Sequence, residues 1–224
     1  MPFMSSVNSN KHAGYTPPPP GLDSILMMDG NTIEDVSPQA HGITTVGDVT
    51  ISSEKAKFGT TSMKFNGGHL LVDDSANWTL GTDEWTLDFW VNLDVFEGYK
   101  RFFTLEGPEL VSSMHYHGAS IGYCFQIGAA NDYNGSAEYG AADVWLHNAL
   151  VREGDVWTQY LNGTATGDTF TAVGLSLGNP SSISLGLAGS GWTGDMYAHI
   201  DYLRFTRGVA RWSTNFTPPG IGDY

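Results

Sequence analysis

Residues 84–94 alternate strictly. Trp85, Leu87, Phe89, Val91 and Leu93 share one face, and Thr86, Asp88, Trp90, Asn92 and Asp94 share the other. A period of two places successive side chains on opposite sides of a strand, and no helix can use that pattern. The predicted element is a half-buried antiparallel strand. Ile121, Tyr123, Phe125 and Ile127 repeat the alternation. Short apolar runs at Ser24–Asp29, Thr45–Ile51, Ser62–Phe65 and His69–Val72 are separated by Asp29-Gly30-Asn31 and Asn66-Gly67-Gly68. These are strands punctuated by turns. Asp155–Leu161, then Asn162-Gly163, then Thr164 is a hairpin with a type I′ turn, since Asn-Gly tolerates positive φ at both central positions. Near the end, Met196, Ala198 and Ile200 alternate, but Leu203 and Phe205 fall in the opposite phase. A β-bulge near Asp201-Tyr202 reconciles them. Gly208–Arg211 is expected to form a short helical turn.

With 28 glycines in 224 residues, 12 % aromatics and 15 % charged residues, the chain suits one large β-sandwich or barrel and not a helical bundle. No run of 18 apolar residues occurs, so no membrane span is expected. Residues 1–8 lack a basic n-region and an apolar h-region, so they do not read as a secretory signal. Cys124 is the single cysteine; it is expected to be a small buried hydrophobe, with no internal disulfide. A net charge of −14 repels nucleic acid and anionic membranes. Residues 1–21 form a segment apart. They are rich in Ser and Asn and end in Pro17–Pro20 and Gly21, which enforces polyproline II and supplies no donors to a sheet. This stretch is expected to be an extended arm that docks on a neighbouring subunit, with residues 22–224 as the folded domain.

The tail Ile200-Asp201-Tyr202-Leu203-Arg204, Gly208-Val209-Ala210-Arg211 and Asn215-Phe216-Thr217-Pro218-Pro219 resembles the closing signature of laminin-G-like, concanavalin A-type jelly rolls. Earlier segments resemble the same family in order and spacing. They are Ile25–Gly30, Lys57–Gly68, Trp85–Val91, Ala149–Gly154 and Tyr160–Gly163. The resemblance covers roughly residues 22–219 and implies an antiparallel jelly-roll sandwich of the concanavalin A-like lectin/glucanase type. It is specific for fold and nearly silent on ligand.

The resemblance also implies candidate sites. A structural Ca2+ in such jelly rolls maps onto Asp201, Asp29 and the backbone of Gly67; carboxylates and carbonyls are the hard oxygens calcium prefers. Against that, Asp29 could simply cap a turn and Asp201 sit at the bulge. Related glycosidases carry Glu-x-Asp-x-x-Glu on one strand, and no such motif is present. Glu84 and Asp88 lie roughly 13 Å apart along a strand, too far for either glycosidase geometry. The chain is therefore expected to be non-enzymatic. His115 and His117 lie on one side of a strand, but Val111–Gly118 reads better as a solvated loop than as a zinc site. Trp85, Trp145 and Trp157 are assigned to the core, and Trp90 to the space beneath a second sheet. Tyr133, in Asn131–Ser136, and Trp192 are left as ligand-binding aromatics.

Taken with the resemblance, these features point to a virion structural protein of a tailed phage. It would be a capsid decoration or a tail component, made in the host cytoplasm and homo-oligomeric. The arm would contact other virion proteins, and host cell-surface glycans are a further partner. The alternatives are a carbohydrate-binding lectin and, behind it, a polysaccharide hydrolase.

Overall fold

A computed structural model describes residues 24–95, 100–107, 111–116, 122–127, 131–134, 142–186 and 196–223. They build a jelly roll of two antiparallel sheets. The first sheet runs β13 (Thr164–Thr171), β12 (Val156–Leu161), β11 (Trp145–Glu153), β6 (Trp85–Leu93), β15 (Tyr197–Arg207), β4 (Ser62–Asn66) and β3 (Val49–Ser52), with β1 (Ser24–Met28) also on β15. The second runs β10 (Asn131–Asn134), β9 (Gly122–Ile127), β8 (Val111–Tyr116), β7 (Lys100–Glu106), β14 (Ser182–Leu185), β5 (His69–Val72) and β2 (Ile43–Val46). The expected arm lies outside the described residues.

The core forms where the alternating apolar faces of the two sheets meet. Trp85 stacks on Phe205 at 5.3 Å and meets Trp157 edge-on at 4.9 Å. Arg152 is fully buried beside them. Its guanidinium donates to the carbonyls of Gly154, Gly81 and Leu175 and lies over Trp157. A buried charge is tolerable only with such partners.

The Asn162-Gly163 turn has φ +50° and +76°, as type I′ requires. The bulge in β15 is present: Asp201 pairs with Trp90 and Arg204 with Asp88, so Tyr202 and Leu203 oppose one residue. Tyr202 absorbs the extra length at φ +50°.

Several expectations need correcting. Thr45–Ile51 is two strands in different sheets, split where Gly47 turns at φ +74°. Residues 111–116 form β8, paired on both sides, and not a loop. Gly208–Arg211 makes no helical turn. Trp145 is only half-buried. Trp90 faces away from the second sheet. Above all, β6 is buried on both faces.

The loop at 55–58 covers Trp90 and Asn92 on the outer face of β6, and the C-terminal strap, residues 208–223, covers the rest. Thr86 Oγ1 donates to the Val209 carbonyl and accepts from Arg211 N–H. Trp212 and Phe216 stack at 3.9 Å, 6° from parallel, and pack with Ala149, Val151 and Tyr160. Asn215 Oδ1 accepts from Ala165 N–H, and Phe216 N–H donates to the Gly163 carbonyl. The Asn-Phe-Thr-Pro-Pro exit thus docks on the Asn-Gly hairpin. Under the strap, Arg204 makes a two-point bridge to Asp88, 3.0 Å at each contact. Burial raises the Asp88 pKa, but Arg204 and His147 outweigh it and hold the carboxyl at about 2.

Candidate functional site

The bulge creates the site. Along one edge of β15, residues 197–200 pair with β4 and residues 203–206 pair with β1. Asp201 and Tyr202 occupy the gap between those partners, where the 29–31 turn and the 57–61 loop come in. Asp201 is fully buried. Its Oδ2 accepts the N–H groups of Lys57 and Phe58 at 3.0 and 3.1 Å, whereas Oδ1 has no hydrogen-bond partner. Gly30, at φ +78°, lies against that free oxygen: a Cβ there would meet Oδ1 at 2.4 Å. Burial, with the nearby Asp29 charge adding to it, pushes the Asp201 carboxyl up to about 6.

Around this carboxylate sits an aromatic cluster on the outer face of the first sheet. Phe58 meets Tyr202 edge-on at 5.2 Å and Trp90 at 5.9 Å. Lys57 Nζ lies 3.7 Å from the Trp90 ring centroid, close enough for a cation–π contact. Burial lowers the Lys57 pKa. Phe58, Lys57 and Tyr202 are half-buried, so one side of the cluster reaches solvent. A bulky residue at positive φ is uncommon, and its strain of about 1–3 kcal/mol persists only where the surroundings enforce it.

The structure brings Asp29 and Asp201 together across Gly30. Gly67 does not join them. Its N–H bonds the Met196 carbonyl at the far end of β4, roughly 16 Å from Asp201 by strand rise. The Thr61 carbonyl stands near Asp201 instead, 3.4 Å from the same point beside Gly30. Asp29 holds Asn31 through both oxygens, at 2.9 and 3.0 Å. An orphaned carboxylate oxygen, a second carboxylate and a carbonyl suit a hard cation such as calcium; Gly67 does not contribute. No group of three metal-ligating side chains occurs among the described residues, so such an ion would rely on carbonyls. Tyr133 lies on the edge strand β10, opposite Phe125, and Trp192 falls outside the described residues, as does His117. Sequence reasoning missed Lys57, Phe58 and Tyr202 as site residues. The only signal for them was the phase break on β15.

The fold agrees with solved structures. Domain 4 of AbnA, a GH43 extracellular arabinanase from Geobacillus stearothermophilus solved in complex with arabinotriose, matches at TM-score 0.66 and 18 % identity, over 85 % of this chain and 94 % of that one. A structure of botulinum neurotoxin type C, whose cell entry is dependent upon interaction with two ganglioside molecules, matches at 0.61 and 12 %, over 83 % of this chain and 48 % of that one. The serotype D binding domain matches at 0.60 and 13 %, over 82 % and 48 %. This chain therefore spans about half of the toxin chains. At these identities the likeness establishes fold. Among curated proteins, none matches the sequence. Residues 65–210 match the laminin-G-type family profile described as the concanavalin A-like lectin/glucanases superfamily. With that match covering well over half of the chain, and the two-sheet jelly roll around it, the protein belongs to the concanavalin A-like lectin/glucanases superfamily.

Proposed function

We propose that this chain is a carbohydrate-binding module that holds a glycan without cleaving the glycosidic bond. The observation that carries this reading is the strained Tyr202, set by the bulge beside Phe58 with polar groups around it. Sugar rings stack their CH faces on such rings, and Lys57, Asp29 and Asn31 offer donors and acceptors for hydroxyls. The arabinotriose complex of the similar arabinanase domain supports the ligand class. Calcium between Asp29 and Asp201 would brace the 29–31 turn. The patch expected at Tyr133 and Trp192 is the competing location.

The test is a glycan array on the intact chain, followed by titration of the best ligand with Tyr202→Gly and Tyr133→Ala. Tyr202→Gly is expected to weaken binding at least tenfold and to stay within about 1 kcal/mol of wild-type stability. Release of the left-handed strain offsets the lost edge contact with Phe58. Loss confined to Tyr133→Ala would move the site to β10, and an array without hits would remove the reading.

We further propose that the module is a structural virion component of a tailed phage, either capsid decoration or tail-associated. In it, residues 1–21 grip neighbouring virion proteins, and homo-oligomers display the site to host glycans. The motif resemblance and the Pro17–Pro20 arm support this placement. Copy number in purified particles tests it: hundreds indicate decoration, a handful indicate a tail, and absence overturns the assignment.

A further inference from the structure

Two loops bring three side chains into line: Asp35 and His41 from the connection between β1 and β2, and Ser75 from the turn after β5. Ser75 Oγ lies 3.0 Å from His41 Nε2, and His41 Nδ1 lies 2.8 Å from Asp35 Oδ2. The Asp35 carboxyl is buried, with no side-chain exposure. It accepts the N–H groups of Met27 and Ser37 through Oδ1 and that of His41 through Oδ2. Burial raises its pKa, but these bonds outweigh that and lower it. An ionised carboxylate can only accept, so Nδ1 carries a proton; in the neutral ring Nε2 is the acceptor. Ser75 Oγ–H then donates to Nε2 and accepts in turn from Asn77 N–H at 3.2 Å. The His41 ring is held against Trp78, centroids 5.5 Å apart. Ser75 is half-exposed.

We infer that Ser75, His41 and Asp35 form a nucleophile–base–carboxylate relay that hydrolyses short-chain acyl esters. Such relays are recognised by geometry and role, whatever their position in the chain. This activity goes beyond glycan binding and departs from the expectation of a chemically inert chain. A similar pair elsewhere shows what is required. Ser62 Oγ lies 2.9 Å from His199 Nδ1, but Ser62 donates to the Lys55 carbonyl and is fully buried, so it can reach no substrate.

The chemistry balances without a cofactor. Ser75 Oγ attacks the acyl carbon as its proton passes to His41 Nε2, and the carbonyl oxygen takes the negative charge. Collapse breaks the ester C–O bond, and the departing alcohol oxygen takes the proton from His41. Water then attacks the acyl-Ser75 ester, its proton again passing to His41, and the acid leaves as the serine proton returns. Asp35 stays ionised and holds the tautomer.

The test treats the full chain with a fluorophosphonate probe and maps the adduct by peptide mass spectrometry, beside p-nitrophenyl acetate hydrolysis. Labelling at Ser75 in folded protein, none after heat denaturation, and a burst of nitrophenolate are expected. Ser75→Asn keeps a capping oxygen for Asn77 N–H and removes the nucleophile; Asp35→Asn disturbs the tautomer. Each is expected to lower turnover at least about 100-fold. An unlabelled Ser75 in folded wild-type protein, or turnover unchanged in a folded Ser75→Asn, would overturn the assignment and leave His41 as a pin between loops. If Ser75→Asn fails to fold, the labelling result in the wild type decides alone.

Discussion

Asp201→Asn isolates what the buried carboxylate at the bulge does. The Asp201 carboxyl sits at about 6 in the fold against an ordinary 3.8, a difference worth about 3 kcal/mol at most. The sign follows from proton binding. The folded state holds this proton more tightly than the unfolded chain, so stability is greatest below pH 3.8. It falls as pH rises towards 6, and the full penalty remains at pH 8. Asparagine keeps an oxygen for the Lys57 and Phe58 N–H groups and removes the charge that faces Asp29. In metal-free buffer, urea denaturation of Asp201→Asn is expected to show about 2–3 kcal/mol of added stability at pH 8 and almost none at pH 4. Calcium is expected to reverse the order at pH 8. The wild type gains stability because the orphaned Oδ1 and Asp29 acquire a counter-charge, and the variant does not respond. A variant destabilised equally at both pH values would refute the electrostatic account. A wild type whose melting temperature ignores both calcium and chelator would remove the calcium proposal.

Four further outcomes follow from named contacts. Asp88→Ala is expected to lose about 3–5 kcal/mol, because the buried Arg204 loses its only carboxylate among the described contacts and keeps the Asp223 carbonyl, whereas Asp88→Leu with Arg204→Leu loses less than either single change; denaturation of all three checks this. Since the folded Asp88 carboxyl lies at about 2, its contribution is complete above pH 3.8 and disappears as pH falls through 2, which an acid titration followed by circular dichroism would show. Gly163→Ala puts a Cβ 1.9 Å from the Phe216 carbonyl at φ +76°, so at least about 2 kcal/mol is expected to be lost, with faster hydrogen exchange in residues 209–223. Trp212→Ala removes the stacking partner of Phe216 and is expected to lose about 2 kcal/mol of stability, measured as a lowered denaturation midpoint.

Legibility in the sequence followed the range of the interaction. The alternation at 85–93, the Asn162-Gly163 hairpin and the phase break at Asp201 are set by neighbours in the chain, so they could be located by inspection. The coverage of the β6 outer face could not, because Thr86 and Asp88 are covered from residues 208–223, more than 110 positions away, and Trp90 and Asn92 by the loop at 55–58. Asp88 on the polar phase therefore looked solvated, yet it is a buried partner of Arg204. Gly67 was placed beside Asp201 by motif order, but strand register carries it to the opposite end of β4. The Lys57–Phe58–Tyr202 cluster depends on a loop meeting a bulge across 144 positions, and Ser75, His41 and Asp35 follow no motif spacing.

What the residues alone decide about this protein is its class. Period-two alternation excludes helices, Gly-rich turns cut the chain into short strands, and the ordered motifs specify an antiparallel jelly roll. What only the tertiary structure decides is which polar groups share a site. Hydrogen-bonded register and the closing of one edge of β15 by two different strands bring residues 29, 57, 58, 201 and 202 into contact. Those contacts form only once the sheets have assembled, and so no local pattern could encode them.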